Sequence, residues 1–384
     1  MKKVKISFLG TGPRGHGLVH TYKNHEKLEF VSICDHQDGT AEQVAASCFP
    51  EGGVKAYKSY EEMLKGPAFD LLMIAMDPDI QAEYAVDAMN RGIHVMTEVP
   101  AAYSIKQCRA LVDTVEKTGA KYQLAEQTRY WHFIRQFREM AGRNEFGKIV
   151  YAEGHYQHFL PAYDDFVEVK TGRHIGSFDP TLYADPDVRP SWRGRNLRNP
   201  IFYLPHTLSP LLSITGGRIT KVSCFGTRPL GYAVEGFSYR DMQHAIMYNS
   251  DDILFSVRAS FAMPHGNNPL TGCHWYQIKG TKASVETPRS TLDGGKLWTL
   301  ENDWTEMHQQ TEDSEAEERI RSSGHGGADF YPIDAMVNAI LNDTTPPMDV
   351  YKAVETAAPA IMAALSCEKG GVLMEVPDFR NRGE

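Results

Sequence analysis

Three glycines at positions 10, 12 and 15, in the run FLGTGPRGHG, have the spacing of a turn that cradles a pyrophosphate. Such a turn works by bringing backbone N–H groups at a helix N-terminus close to phosphate oxygens, where side chains would stand in the way. Thr11 and Arg14 fall inside the same turn and belong to the expected cofactor site. Asp35, twenty residues after Gly15, is spaced to accept hydrogen bonds from adenosine ribose hydroxyls. An acid there repels a 2′-phosphate, and His36, Gln37 and Asp38 follow rather than an arginine, so NAD is expected over NADP.

These residues need a particular scaffold. Val4–Leu9 reads as a buried strand feeding the glycine turn and a helix. EFVSICD is the next strand, ending at Asp35, and FDLLMIAM (69–76) is an unbroken apolar run, as a strand buried on both faces should be. A helix over Asp79–Arg91, the strand HVMTEV, a helix over Ile105–Thr118 and the strand KYQLAE (121–126) continue the alternation. The expected fold is a Rossmann, doubly wound parallel sheet over residues 1–126. Asp77 and the run Glu98, Val99, Pro100 lie at strand C-termini, the edge where cofactor and substrate meet in such sheets. Residues 127–384 form the expected substrate and oligomerisation domain: a connecting helix at Trp131–Arg143, then strand-rich segments from Ile149 to Gly280. That pattern implies a large, mostly antiparallel open sheet with helices on one face, joined by late helices at Asp329–Leu341 and Val350–Cys367. An irregular stretch between Pro161 and Pro200 holds Trp192 and Arg193, residue types that stack on a sugar or clamp an anion.

Bulk properties narrow the class. A net charge of −9 argues against a nucleic-acid surface. Six scattered cysteines without a CxxC pair suit a reducing, cytoplasmic compartment and give no zinc site. No His/Asp/Glu set has metal-ligand spacing, no segment approaches the roughly 20 apolar residues of a membrane span, and the N-terminal apolar run ends too early for a secretion signal.

With a Rossmann segment joined near residue 126 to an open-sheet domain, the chain resembles the Gfo/Idh/MocA family of sugar-active oxidoreductases. In MDPDIQAEYAVDAMNRGIHVMTEVP, Met76–Asp77 stands where that family has Thr-Pro, Gln81 where it has His, and Val99 where its Glu-Lys-Pro segment has lysine. The family's Asp and His, four apart on a helix, fall at Phe202 and His206. These departures resemble a narrower branch, the NAD-dependent glycosidases of glycoside hydrolase family 109, which has Glu-Val-Pro. The resemblance carries over Glu126 in LAEQTRY, Tyr156 in AEGHYQH, Tyr203 and His206 in YLPHTLSPL, and His325 in HGGADF. A further tyrosine of the later sheet stays unassigned between His274 and Tyr276.

The branch implies a redox-neutral cycle on a glycoside: oxidation at carbon 3, loss of the acidified carbon 2 proton, departure of the carbon 1 group, water addition and reduction of carbon 3. Tyr156 is then the candidate carbon 2 base and His206 the proton handler at carbon 3, although exchanging the two fits the sequence equally. Tyr203, one helical turn before His206, would orient the sugar, and Glu126 would bind it or face the nicotinamide. The alternatives are a sugar dehydrogenase or reductase with net NAD turnover, and a sensor that binds NAD and sugar without catalysis. Open sheets of this type pair face to face, so a homodimer or homotetramer is expected.

Overall fold

The computed structural model describes residues 2–158, 166–171, 173–175, 179–191, 194–195, 198–232, 239–263, 273–309 and 317–381. The chain forms two compact units. The first comprises residues 1–127, 167–173 and 317–354; the second comprises 128–166, 174–316 and 355–384.

In the first unit, strands β1 (Val4–Leu9), β2 (Leu28–Cys34), β3 (Lys55–Tyr57), β4 (Leu71–Ile74), β5 (His94–Thr97) and β6 (Tyr122–Leu124) alternate with helices. These are α1 (Pro13–Tyr22), α2 (Thr40–Cys48), α3 (Tyr60–Leu64), α4 (Gln81–Asn90) and α5 (Ile105–Thr118). The sheet order is β3-β2-β1-β4-β5-β6, and the strand order reverses between β1 and β4. That reversal opens a crevice at the carboxyl edge, directly after Leu9 and Ile74. α5 shows why the local limits fall where they do. The Ser104 hydroxyl accepts from the Gln107 N–H at 3.1 Å, and Gly119 closes the helix at φ 69°.

The helix Phe330–Leu341 also belongs to this unit. Its Ile333, Met336 and Val337 pack into one apolar cluster with Val4, Ile6, Phe8 and Leu18. Each of these large side chains, once buried, contributes roughly 1.5–3 kcal/mol.

The second unit is built on a nine-stranded sheet. Its central strand, Ile149–Gln157, lies antiparallel to His274–Gly280 on one side and parallel to Leu254–Ser260 on the other. Gln243–Asn249, Ile219–Gly226 and Met374–Glu375 extend one flank; Ala283–Glu286, Lys296–Thr299 and Thr305–Glu306 extend the other, all antiparallel. The helix Pro205–Thr215 packs on the sheet at Gly154, where an added Cβ would lie 2.2 Å from Thr207 Cγ2. Glycine in AEGHYQH is therefore a close-packing residue, and it lets helix and central strand bring their side chains together. Within 161–200 the described residues include short strands at Phe166–Glu168 and Val188–Pro190 and a 3-10 turn at Pro180–Ala184. Trp192 and Arg193 lie outside the described residues.

Candidate active site

The three turn glycines do different work. A Cβ on Gly10, whose φ is +88°, would lie 2.3 Å from the Ala75 carbonyl oxygen, and one on Gly15 would lie 2.1 Å from that of Gly10. Both are fixed by packing of turn, helix and sheet. Gly12 would meet nothing within 4 Å. It caps α1 without any side-chain hydrogen bond, and Pro13 follows at the first helical position. The N-terminal N–H groups of α1 therefore keep an open approach suited to a pyrophosphate. Asp35 is buried and held from two directions: Thr11 N–H donates to Oδ2 at 2.6 Å, and Gln37 N–H to Oδ1 at 3.0 Å. An ionised carboxylate has about four acceptor positions, so capacity remains for ribose hydroxyls. The residues present fit a dinucleotide.

Arg14 is engaged with protein carboxylates. Its Nε donates to Glu98 Oε1 at 2.9 Å, and its Nη1 and Nη2 donate to Asp329 Oδ2 and Oδ1 at 2.6 and 3.0 Å. Asp329 is buried, and His325 Nδ1 lies 3.0 Å from its Oδ1. Burial alone would raise the Asp329 pKa; hydrogen bonds from His325 and Arg14 overcome it and hold the carboxyl well below the usual range. Burial would likewise lower the Arg14 pKa, and the charge of Glu98 with the Asp329 pair outweighs it. Glu98 Oε2 accepts from Val99 N–H at 3.0 Å, while Gln81 Nε2 donates to the Glu98 and Pro100 carbonyls. Thus Glu98, Val99 and Pro100 form a braced turn at the end of β5, with Val99 and Pro100 buried. The Asp77 carbonyl accepts from Ile80 and Gln81 N–H at the end of β4. Glu126 is fully buried just after β6. His325 stands in the first unit, on a loop whose backbone reaches φ 55° at His325 and 65° at Gly326. The HGGADF segment is thus part of the nucleotide unit rather than of the sheet that carries Tyr156.

The second unit gathers a different chemistry. Tyr156, Tyr203 and Phe261 form one buried cluster with Cys273 against it. The Tyr156 ring centroid lies 4.5 Å from His274, 5.4 Å from His206 and 6.1 Å from Tyr203. His158 adds a ring 4.8 Å from Tyr156, and its Nε2 is 3.0 Å from Cys273 Sγ. Tyr203 and His206 do not share a helix, contrary to the expectation from their spacing. Tyr203 ends the 3-10 turn Pro200–Tyr203, and the helix begins at Pro205. Proline has no N–H for a continuing ladder and suits a first helical position, which separates the two elements. Their rings still lie 6.1 Å apart.

The helix holds a second proline, Pro210. Sitting inside the Pro205–Thr215 helix, it cannot donate to the carbonyl four residues back, which is that of His206. The His206 carbonyl is satisfied from outside the helix, by Thr128 Oγ1 at 2.9 Å and Tyr276 Oη at 3.0 Å. Thr128, His274 and Tyr276 are thus additional members of the cluster. His274 and Tyr276 alternate onto one face of their strand, a pattern visible in the sequence, but the register pairing His274 with Tyr156 is not. Among the described residues no group of three or more His, Cys, Asp or Glu could hold a metal ion, and no helix is long and apolar enough to cross a membrane.

Comparisons with known proteins match two families in turn along the chain. Residues 4–126 match the oxidoreductase family with an NAD-binding Rossmann fold, GFO_IDH_MocA. Residues 134–384 match the C-terminal domain of glycosyl hydrolase 109. An alpha-N-acetylgalactosaminidase from Tannerella forsythia is 26% identical over 99% of this chain and 87% of its own length. A glycosyl hydrolase family 109 protein from Parabacteroides distasonis is also 26% identical, over 100% of this chain and 88% of that protein. Among solved structures, myo-inositol 2-dehydrogenase from Lactobacillus plantarum superposes with a TM-score of 0.72 at 15% identity, covering 98% of this chain and 100% of that one. Scyllo-inositol dehydrogenase from Lactobacillus casei, solved with NAD(H) and scyllo-inositol, gives 0.72 at 14% identity, over 97% and 99%; at such identity the likeness is one of fold. With a Rossmann domain of the NAD-binding oxidoreductase type ahead of the matched C-terminal domain, the chain belongs to glycosyl hydrolase family 109 and is an NAD-dependent, sugar-active enzyme.

Proposed function

We propose that the protein cleaves a glycosidic bond by a redox-neutral cycle, using NAD rather than NADP. The observation that carries this reading is the assembly of Tyr156, Tyr203 and His206 on one sheet face, with ring centroids 5.4 to 6.1 Å apart. Val99 in the Glu-Val-Pro turn has no ionisable group, so the proton steps fall to other residues. Bound NAD would supply the acceptor and later the donor of the two electrons exchanged at carbon 3. His206 takes the carbon 3 hydroxyl proton, a role suited to an imidazole, whose ring nitrogens both accept and donate protons. Tyr156 removes the carbon 2 proton, which the neighbouring ketone has acidified. The carbon 1 group then departs, and water adds in the reverse sense. Tyr203 orients the sugar, and Glu126 in the first unit binds the cofactor or substrate through its carboxylate. Asp35 supports NAD, because a 2′-phosphate would meet an ionised carboxylate already held by Thr11 and Gln37. The identity of the Tannerella relative supports an N-acetylated hexosaminide as the first substrate to try.

The test is incubation with an aryl α-N-acetylgalactosaminide in D2O without added cofactor. Aryl alcohol release with deuterium at carbon 2 is expected. Stoichiometric NADH with an intact glycoside would replace this reading with that of a dehydrogenase. Neither signal, with sugar still bound, would favour a sensor.

Self-association is part of the same proposal. Phe225, Ile246, Tyr248 and Leu254 project from the sheet face opposite the Pro205–Thr215 helix and are 41 to 64% exposed. Such an apolar face supports a homodimer or homotetramer, to be checked by analytical ultracentrifugation with Ile246→Lys as the dissociating variant.

A further inference from the structure

Two cysteines far apart in sequence meet in the second unit. Cys224 lies in the strand Ile219–Gly226, and Cys367 in the last turn of the helix Val350–Glu368. Residues two apart on a strand share a face, so Cys224 projects on the same side as Gly226. A Cβ added at Gly226 would lie 3.0 Å from Cys367 Sγ, 3.0 Å from Arg240 Cδ and 2.8 Å from Gln243 Cγ. The absent side chain is thus the space in which those three groups converge over the strand. The helix end is moored there: Cys224 N–H donates to Ser366 Oγ at 3.0 Å, and Ser366 Oγ donates to the Val372 carbonyl at 2.7 Å.

The two thiols are hydrogen-bonded to one another, and they are made unequal by it. For Cys367 that bond, joined by the Gln243 amide and the Arg240 charge, outweighs burial and brings the thiol down to about 6. The same bond and burial push the Cys224 thiol up, and its proton has a second acceptor in the Phe225 carbonyl at 3.6 Å. At neutral pH the pair is therefore a thiolate beside a thiol, the arrangement of a nucleophile and its resolving partner. Access follows the same order. Cys367 keeps 8% of its surface exposed and Cys224 none, so a small oxidant meets Cys367 first.

We infer that Cys224 and Cys367 are a redox-active dithiol, with Cys367 the nucleophile toward hydroperoxides and Cys224 the resolving thiol that closes a reversible disulfide between strand and helix. With hydrogen peroxide, the Cys367 sulfur attacks one oxygen, the O–O bond breaks and hydroxide leaves, so that Cys367 becomes a sulfenic acid. That hydroxide takes up the proton Cys367 had lost on ionising. The Cys224 sulfur then attacks the Cys367 sulfur; the S–S bond forms, the S–O bond breaks, and the departing hydroxide carries away the Cys224 proton as water. Two thiols lose two electrons and one peroxide becomes two waters. A dithiol reverses the closure. This chemistry is separate from the proposed sugar chemistry and stands or falls without it.

The test uses the full chain, purified reduced and exposed to hydrogen peroxide. Remaining thiols are alkylated under denaturing conditions, and the unreduced peptides are read by mass spectrometry. The expected product is a Cys224 peptide joined to a Cys367 peptide, two hydrogens lighter than their sum, from chains that run as monomers on a denaturing gel. Dithiothreitol should separate them. Both thiols recovered free overturns the inference, and so does oxidised Cys367 without the cross-link. A disulfide from either residue to Cys34, Cys48, Cys108 or Cys273, or to a second copy of the chain, overturns it equally. Variants assign the roles. Cys224→Ser should stop Cys367 at the sulfenic acid, captured by dimedone, whereas Cys367→Ser should leave Cys224 unlabelled; dimedone on Cys224 in Cys367→Ser would overturn the assignment of the nucleophile. Should a variant fail to fold, the wild-type cross-link alone decides the pairing.

Discussion

Arg14 grips Asp329 through two N–H···O bonds of 2.6 and 3.0 Å, joining residues 315 positions apart in sequence. The same guanidinium reaches Glu98 at 2.9 Å, so one side chain ties the nucleotide turn both to the Glu-Val-Pro turn and to the His325 loop. Removing one member of a buried pair leaves the other charge uncompensated. Arg14→Ala is therefore expected to lose roughly 3 kcal/mol of stability, toward the low end for buried pairs because Arg14 is partly exposed. Urea unfolding checks the magnitude. Asp329→Asn keeps the shape and should lose less.

The turn glycines separate folding from cofactor binding. Gly10→Ala places a Cβ 2.3 Å from a backbone oxygen at a positive φ, so low yield or a lowered Tm is expected. Gly12→Ala meets nothing within 4 Å in the protein itself. Its Tm should stay within a few degrees of wild type while NAD affinity, measured by calorimetry, falls at least tenfold. Equal affinity in Gly12→Ala would remove the pyrophosphate from this position.

Gly154→Ala probes the second unit in the same way. Its Cβ would lie 2.2 Å from Thr207 Cγ2, forcing the Pro205–Thr215 helix away from the central strand. Overpacking of this kind costs about 1–3 kcal/mol. Glycosidase activity should fall far more than NAD affinity, since the distortion falls on Tyr156 and His206.

Glu153 predicts an acid limb. Burial raises its pKa, but hydrogen bonds from His155, Tyr151 and Arg258 prevail and bring it down to about 2. A carboxyl depressed on folding adds stability that is fully present above its unfolded value of about 4.3 and is lost as pH falls toward the folded value. Burial also lowers the His155 pKa, which removes stability in the same direction below about 6.5. Unfolding free energy should decline between neutral pH and pH 2. Glu153→Gln should flatten the lower part of that decline and lose on the order of 2 kcal/mol at neutral pH.

How much of this was legible depends on how local each signal is. The limits of β1 and α5 follow from an unbroken apolar run and from Ser104 and Gly119 acting as caps, all readable over a few residues. β3, only Lys55–Tyr57, is too short and too exposed for its pattern to stand out. Pro205 could have warned that Tyr203 and His206 lie on separate elements, because proline favours a helix start. Strand register was beyond reach: nothing local pairs Tyr156 with His274, and without that pairing the later-sheet position stays open between His274 and Tyr276. The same holds for Asp329, whose partner Arg14 lies at the opposite end of the chain.

The return of residues 317–354 to the first unit has a consequence for how the protein is made. A ribosome that has released β6 has exposed all six strands of the nucleotide sheet, yet the apolar face destined for Ile333, Met336 and Val337 is still uncovered. The sheet therefore waits, partly greasy, while residues 128–316, most of them of the other unit, emerge. Its final closure, including the clasp of Asp329 on Arg14, is a late event in synthesis. A fragment ending at residue 126 should be sticky and chaperone-dependent, and adding the 317–354 segment as a separate peptide should restore its solubility.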